Sequence, residues 1–121
     1  MDKFDLERRT KAFAVNVIRF VEELPKSKTA DVLGYQVLKS GTSIGANYRE
    51  ANRAQSRADF IAKVAIAEKE AAETQYWLEL FEEVKLGTPV ACQVLLKEAG
   101  ELLAIFISIG RTTKANSARK R

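Results

Sequence analysis

Histidine is absent from this 121-residue chain, and cysteine occurs once. Without imidazole there is no Ser-His-Asp or Cys-His relay, and no Glu-x-x-His ligand set of the di-iron bundles. Cys92 alone closes no internal disulfide and, with no histidine beside it, builds no zinc site. The six glycines form neither a Walker loop nor a dinucleotide fingerprint. No apolar run reaches the ~18 residues that span a bilayer. The opening Met1-Asp2-Lys3-Phe4-Asp5 lacks a signal-peptide layout, so the expected location is the cytoplasm, with no membrane contact. These absences point away from an enzyme and from any cofactor or resident metal.

What the chain does hold is charge and apolar side chains in a globular balance, 30% and 46% of its residues. The net +4 is unevenly placed: Arg111, Lys114, Arg119, Lys120 and Arg121 lie in the last eleven residues with no acid among them, leaving −1 on residues 1–110. The sequence therefore reads as one near-neutral domain over 1–110 and a basic, flexible tail over 111–121.

Periodicity sets the fold class. Leu6, Thr10, Phe13, Val17, Phe20 and Leu24 step alternately by four and three, as do Leu33, Val37, Ser40, Ile44, Asn47 and Ala51. Phe60, Val64, Ala67, Ala71, Thr74, Leu78 and Phe81 follow the same rule, and Ala91, Leu95, Ala99, Leu102, Phe106 and Ile109 nearly so. Such steps align side chains on one helical face and fit no strand. Pro25 ends the first helix, Thr29 is the expected cap of the second, Ser56 with Asp59 caps the third, Gly87 stops it, and Thr88-Pro89 opens the fourth. The expected helices run near 4–24, 29–54, 57–85 and 89–110. Short connections make neighbours antiparallel, so the expectation is an all-α, up-down-up-down four-helix bundle.

Two features exceed what a bundle needs. Helix 3 carries a second apolar set (Ile61, Ala65, Ala72, Trp77, Leu80, Val84), and helix 4 adds Val94, Leu96, Leu103, Ile105 and Ile107. This reads either as a wide core with some exposed apolar residues or as surface for self-association. Ser40, Asn47 and Thr74 place polar groups on core stripes, where they must find partners on a neighbouring helix or bind a ligand. Gly41 and Gly45 disfavour a helix interior and suggest a close approach. The carboxylates of Glu50, Glu68, Glu70 and Glu73 read as a solvated acidic face, the alternative being a hard-cation site.

The runs Ser43-Ile44-Gly45-Ala46-Asn47-Tyr48-Arg49-Glu50-Ala51, Ser56-Arg57-Ala58-Asp59-Phe60 and Ala67-Glu68-Lys69-Glu70-Ala71-Ala72-Glu73-Thr74-Gln75-Tyr76-Trp77-Leu78 carry a resemblance. They are similar to the bacterial four-helix-bundle proteins encoded in intervening sequences of large-subunit ribosomal RNA genes. The resemblance covers the chain from about Phe13 to Ile109 and is most specific in the middle. It implies a bundle that often assembles as a ring of five subunits, and no established enzymatic activity. It also implies kinship with the accessory protein of diversity-generating retroelements, a basic pentameric barrel that binds nucleic acid.

The functional expectation is an oligomeric, non-enzymatic bundle that binds structured nucleic acid, RNA in the first place, through Arg49, Arg53, Arg57, Lys63, Arg111, Lys114, Arg119, Lys120 and Arg121. The competing expectation is a protein-binding scaffold or antitoxin-like module using apolar surface on helices 3 and 4.

Overall fold

The computed structural model describes residues 1–119, and the side chains of residues 1–116. Four helices follow one another: α1 Lys3–Glu22, α2 Lys28–Asn52, α3 Arg57–Glu83 and α4 Pro89–Arg119. Three of the N-termini have a clear local cause. Asp2 and Asp5 form a reciprocal capping box on α1, satisfying backbone N–H groups that the helix leaves unpaired. Ser27, in extended backbone, accepts from Ala30 N at 3.0 Å and starts α2 ahead of the expected cap Thr29, which lies inside the helix. Ser56 accepts from Asp59 N at 3.0 Å and caps α3.

At the far end of α3, Lys85 and Gly87 both have positive φ (57° and 86°) and turn the chain into α4. Glycine is required at the second: a Cβ there would stand 2.8 Å from Cζ of Phe20. This turn ends α3 at Glu83, short of the expected residue 85.

The helices pack in chain order around the bundle, with α1 returning to α4 through the thinnest of the four seams. Lys63 beside Glu50 and Ser40 beside Thr74 fix α2 and α3 as antiparallel. The core runs the length of the molecule, with Phe13, Val17, Val37, Ile44, Val64, Leu78, Phe81, Leu102 and Phe106 nearly or fully buried. Edge-to-face pairs close both ends: Phe20 on Phe81 at 5.2 Å, and Tyr48 on Phe106 at 5.5 Å. Cys92 lies 2% exposed in this core, its Sγ donating to Leu78 O at 3.4 Å. Gly41 and Gly45 are where α1 comes close, since a Cβ at either would stand 3.0 Å from Val17 or Thr10.

Two expectations are corrected. Asn47 is half-buried, and its Nδ2 donates to Ser43 O of its own helix at 2.8 Å, with no bond to a neighbouring helix among the described residues. α2 touches both α1 and α3, so its buried face is wide, and Tyr48 occupies the core at that level. The second correction concerns α4, which passes through residue 110 and continues to Arg119. No proline interrupts it, and the Thr113 hydroxyl bonds back to Ile109 O at 2.7 Å. Residues 111–119 are thus helical, beyond the expected helix end at 110.

The second apolar sets divide. Ile61, Trp77, Leu96, Leu103 and Ile107 are half-buried and widen the core, while Ala65, Ala72, Val84 and Val94 are exposed.

Candidate nucleic-acid interface

The antiparallel order gathers four backbone ends at one pole of the bundle: the start of α1, the two sides of the α2–α3 turn and the C-terminal part of α4. Arg53 is the C-cap of α2, and Arg57 opens α3 after a three-residue turn. Arg111 and Lys114 extend α4 past Ile109, and both stand on its solvent side. Arg49 and Lys63 sit just inside this pole. Arg119 is the last residue of α4, with no side chain described, and Lys120 and Arg121 lie outside the described residues.

Most acids at this pole are engaged. Asp2 and Asp5 hold the capping box, and Asp5 also pairs with Arg8. Glu7 accepts from Asn52 Nδ2 at 2.8 Å and lies 3.7 Å from Arg49 Nε. Glu50 lies 3.8 Å from Lys63 Nζ. Asp59 occupies the first turn of α3, where a negative charge complements the helix dipole. Arg49 and Lys63 are therefore partly neutralised, whereas Arg53, Arg57, Arg111 and Lys114 have no ion-pair partner among the described residues. The opposite pole carries Glu22, Glu23, Glu79, Glu82 and Glu83 against Lys26, Lys28 and Lys85.

Tyr48 lies under the basic pole. Burial pushes its hydroxyl pKa up, and the nearby Glu7 and Asp2 carboxylates act the same way against a hydrogen bond to Asn52.

The polar pair in the bundle's middle is of another kind. Ser40 and Thr74 are joined by a 2.9 Å hydrogen bond between their hydroxyls, and the Thr74 hydroxyl also lies 2.7 Å from Glu70 O. Both are satisfied and sealed from solvent, so they fix register between α2 and α3 and offer nothing to a ligand. Burial raises the carboxyl pKa of Glu70 beside them, with Glu73 adding to the effect. No group of three or more His, Cys, Asp or Glu among the described residues is placed to hold a metal ion. No helix of the described residues is long and apolar enough to cross a membrane.

Sequence reasoning missed Arg9. Its Nε and Nη2 each donate to Glu98 at 2.7 Å, and Nη2 reaches Glu101 at 3.0 Å. The hydrogen bonds to Glu98 hold the guanidinium above its ordinary value, so it is charged at every accessible pH. Arg9 flanks the stripe residue Thr10 and Glu98 flanks Ala99. That is the only signal the sequence offers, because 89 residues separate the pair.

A four-helix bundle with a polarised charge pattern and a satisfied polar core defines a structural class, and likeness to known proteins supplies the family. The family model of the 23S rRNA-intervening sequence protein matches residues 2–108, and the chain belongs to that family. It is similar to the crystal structure of a protein of unknown function from the S23 ribosomal protein family of Bacteroides thetaiotaomicron. Identity is 42% and the TM-score 0.80, over 86% of this chain and 96% of that one. No curated protein matches.

Proposed function

We propose that this protein is a non-enzymatic, self-assembling bundle that binds RNA through its basic pole. The observation that carries the reading is the convergence of Arg53, Arg57, Arg111 and Lys114 on one end of the molecule, with most nearby acids already paired. Phosphate recognition needs repeated cationic donors with their charge unspent, and these four meet that need. Arg49, Lys63, Arg119, Lys120 and Arg121 would add to the same field. Self-assembly is supported by exposed Val84, Val90 and Val94 (60%, 69% and 59%) around the start of α4. Val94 also borders a groove of about 440 Å³ between α1 and α4 that includes Phe13 and Leu95. A closed ring, with five subunits as the family resemblance implies, satisfies identical patches without open ends.

Anisotropy with labelled RNA over a salt series tests the first part. Each phosphate interaction removed by a charge-reversing substitution should flatten the log–log salt slope by about 0.7 on a single strand. Light scattering tests the second, with five times the 13.5 kDa subunit mass as the expected result. Binding that is absent at low salt refutes the RNA reading. A salt-tolerant protein partner seated on Val84, Val90 and Val94 would replace it with the scaffold reading.

A further inference from the structure

The basic pole is also where the bundle is least complete. α1 begins at Lys3, level with Ile105 to Ile109 of α4, whereas α4 runs ten residues farther, about 15 Å at helical rise. A cleft of about 460 Å³ opens beside the start of α1, bounded by Leu6, Tyr48, Asn52, Phe60, Ser108 and Ile109. Its wall is mainly apolar and aromatic, and Phe60 is half-buried. Four polar groups interrupt it: Asp2, held in the capping box of α1, and Lys3, both exposed, with Ser108 and Asn52. Ser108 is exposed, and Asn52 is half-buried, its Nδ2 donating to Glu7.

Helical register ties the unpaired cations to this cleft. Arg57 precedes Phe60 by three residues and Arg111 follows Ser108 by three, so each shares a helix face with a residue of the wall. Arg53 follows Asn52 directly. A partly aromatic cleft with Lys3 in its lining and unpaired arginines on the helix faces that adjoin it matches one ligand chemistry in particular, a flat base carried on a phosphate chain. An apolar side chain from a protein partner would fit the wall but leave the cations without a role.

We propose that this cleft receives one unpaired base of a single-stranded RNA segment, with its flanking phosphates on Arg57 and Arg111. Phe60 supplies the stacking face. The inference rests on the RNA reading above and narrows it: a base locked in a duplex is already stacked and paired and cannot enter. The protein should therefore prefer single strands, loops or frayed ends to continuous helix.

The experiment compares a fluorescein-labelled ten-nucleotide oligoadenosine RNA with a blunt RNA duplex of equal length, in the full chain and three variants. Phe60→Leu removes the ring and keeps apolar volume, Ser108→Trp fills the cleft from an exposed position, and Arg57→Glu reverses a rim charge. Circular dichroism melts and light scattering accompany each. The expected result is that Phe60→Leu and Ser108→Trp lose about fivefold or more on the single strand and nothing on the duplex, in line with the worth of base–aromatic stacking. Arg57→Glu should weaken both. If only Arg57→Glu weakens binding, phosphate contact stands and the base site is overturned. If Ser108→Trp breaks the assembly at unchanged helix content, the cleft is a subunit seam and the base site is likewise overturned. If no protein binds either RNA, the RNA reading itself falls.

Discussion

Two seams of the same bundle are held by different physics. Between α2 and α3 the surface is closed: Ala67, Ala71 and Leu78 are fully buried, and the polar pair Ser40–Thr74 satisfies itself inside. Between α1 and α4 the backbones stand apart, a groove of about 440 Å³ remains, and Arg9 reaches across it to Glu98 and Glu101. The first seam draws on dispersion and water exclusion, which salt leaves largely intact. The second draws on a charge-assisted clamp whose side chains are about a quarter to half exposed, so ions screen it. α1 is thus the helix whose attachment on one side depends on solution conditions.

The sharpest way to break the contrast is on the closed side. Leu78→Ala should cost about 2–5 kcal/mol, because the neighbouring helices collapse only partly onto the space left. Urea unfolding at two ionic strengths should show that cost unchanged by salt. A smaller effect comes from Thr74→Val, which keeps the shape and leaves Ser40 with only a 3.4 Å bond to Val37 O. The expected cost is about 1–2 kcal/mol, and Thr74→Ser should restore most of it.

Arg9→Met tests the open seam. Its cost should be about 1 kcal/mol at low ionic strength and should shrink in about half-molar sodium chloride, whereas the cost of Leu78→Ala should not change with salt. A salt-independent cost would mean that the arginine stem, not its charge, holds α1.

The smallest expected effect belongs to Glu70. Its folded pKa is raised chiefly by burial, so the unfolded chain releases this proton first as pH rises. The penalty is absent below about pH 4, where both states are protonated, and is fully present above the folded pKa. Glu70→Gln should therefore raise the melting temperature slightly at about pH 7 and leave it unchanged at about pH 3.5.

The helices were legible because alternating steps of three and four residues leave no other solution, and because Ser56, Pro25 and Gly87 mark boundaries by local chemistry. Where reading failed, a single face was assumed. α2 has two neighbours, so its buried arc is wide enough to admit both the expected stripe and Tyr48. Choosing Asn47 over Tyr48 chose the wrong edge of it. The end of α4 was hidden for a different reason: Arg111 to Arg119 has no apolar periodicity, so pattern alone marks no helix there. Of the candidate interface, the basic residues were visible one by one. Which of them keep their charge unspent depends on Glu7 and Glu50, whose pairings are tertiary or set by side-chain reach and leave no trace in spacing.

Cys92 turns the core into a clock. Its thiol lies 2% exposed against the Leu78 carbonyl, and burial raises its pKa above that of a free cysteine. A thiol reagent added to the native protein must wait for local opening where the start of α4 packs on the end of α3, beside a cavity of about 250 Å³ that Cys92 borders. Because the chain has no second cysteine, every labelled molecule reports that one site. The rate of labelling therefore reads the opening of one chosen interface without any engineered probe, at any salt or RNA concentration.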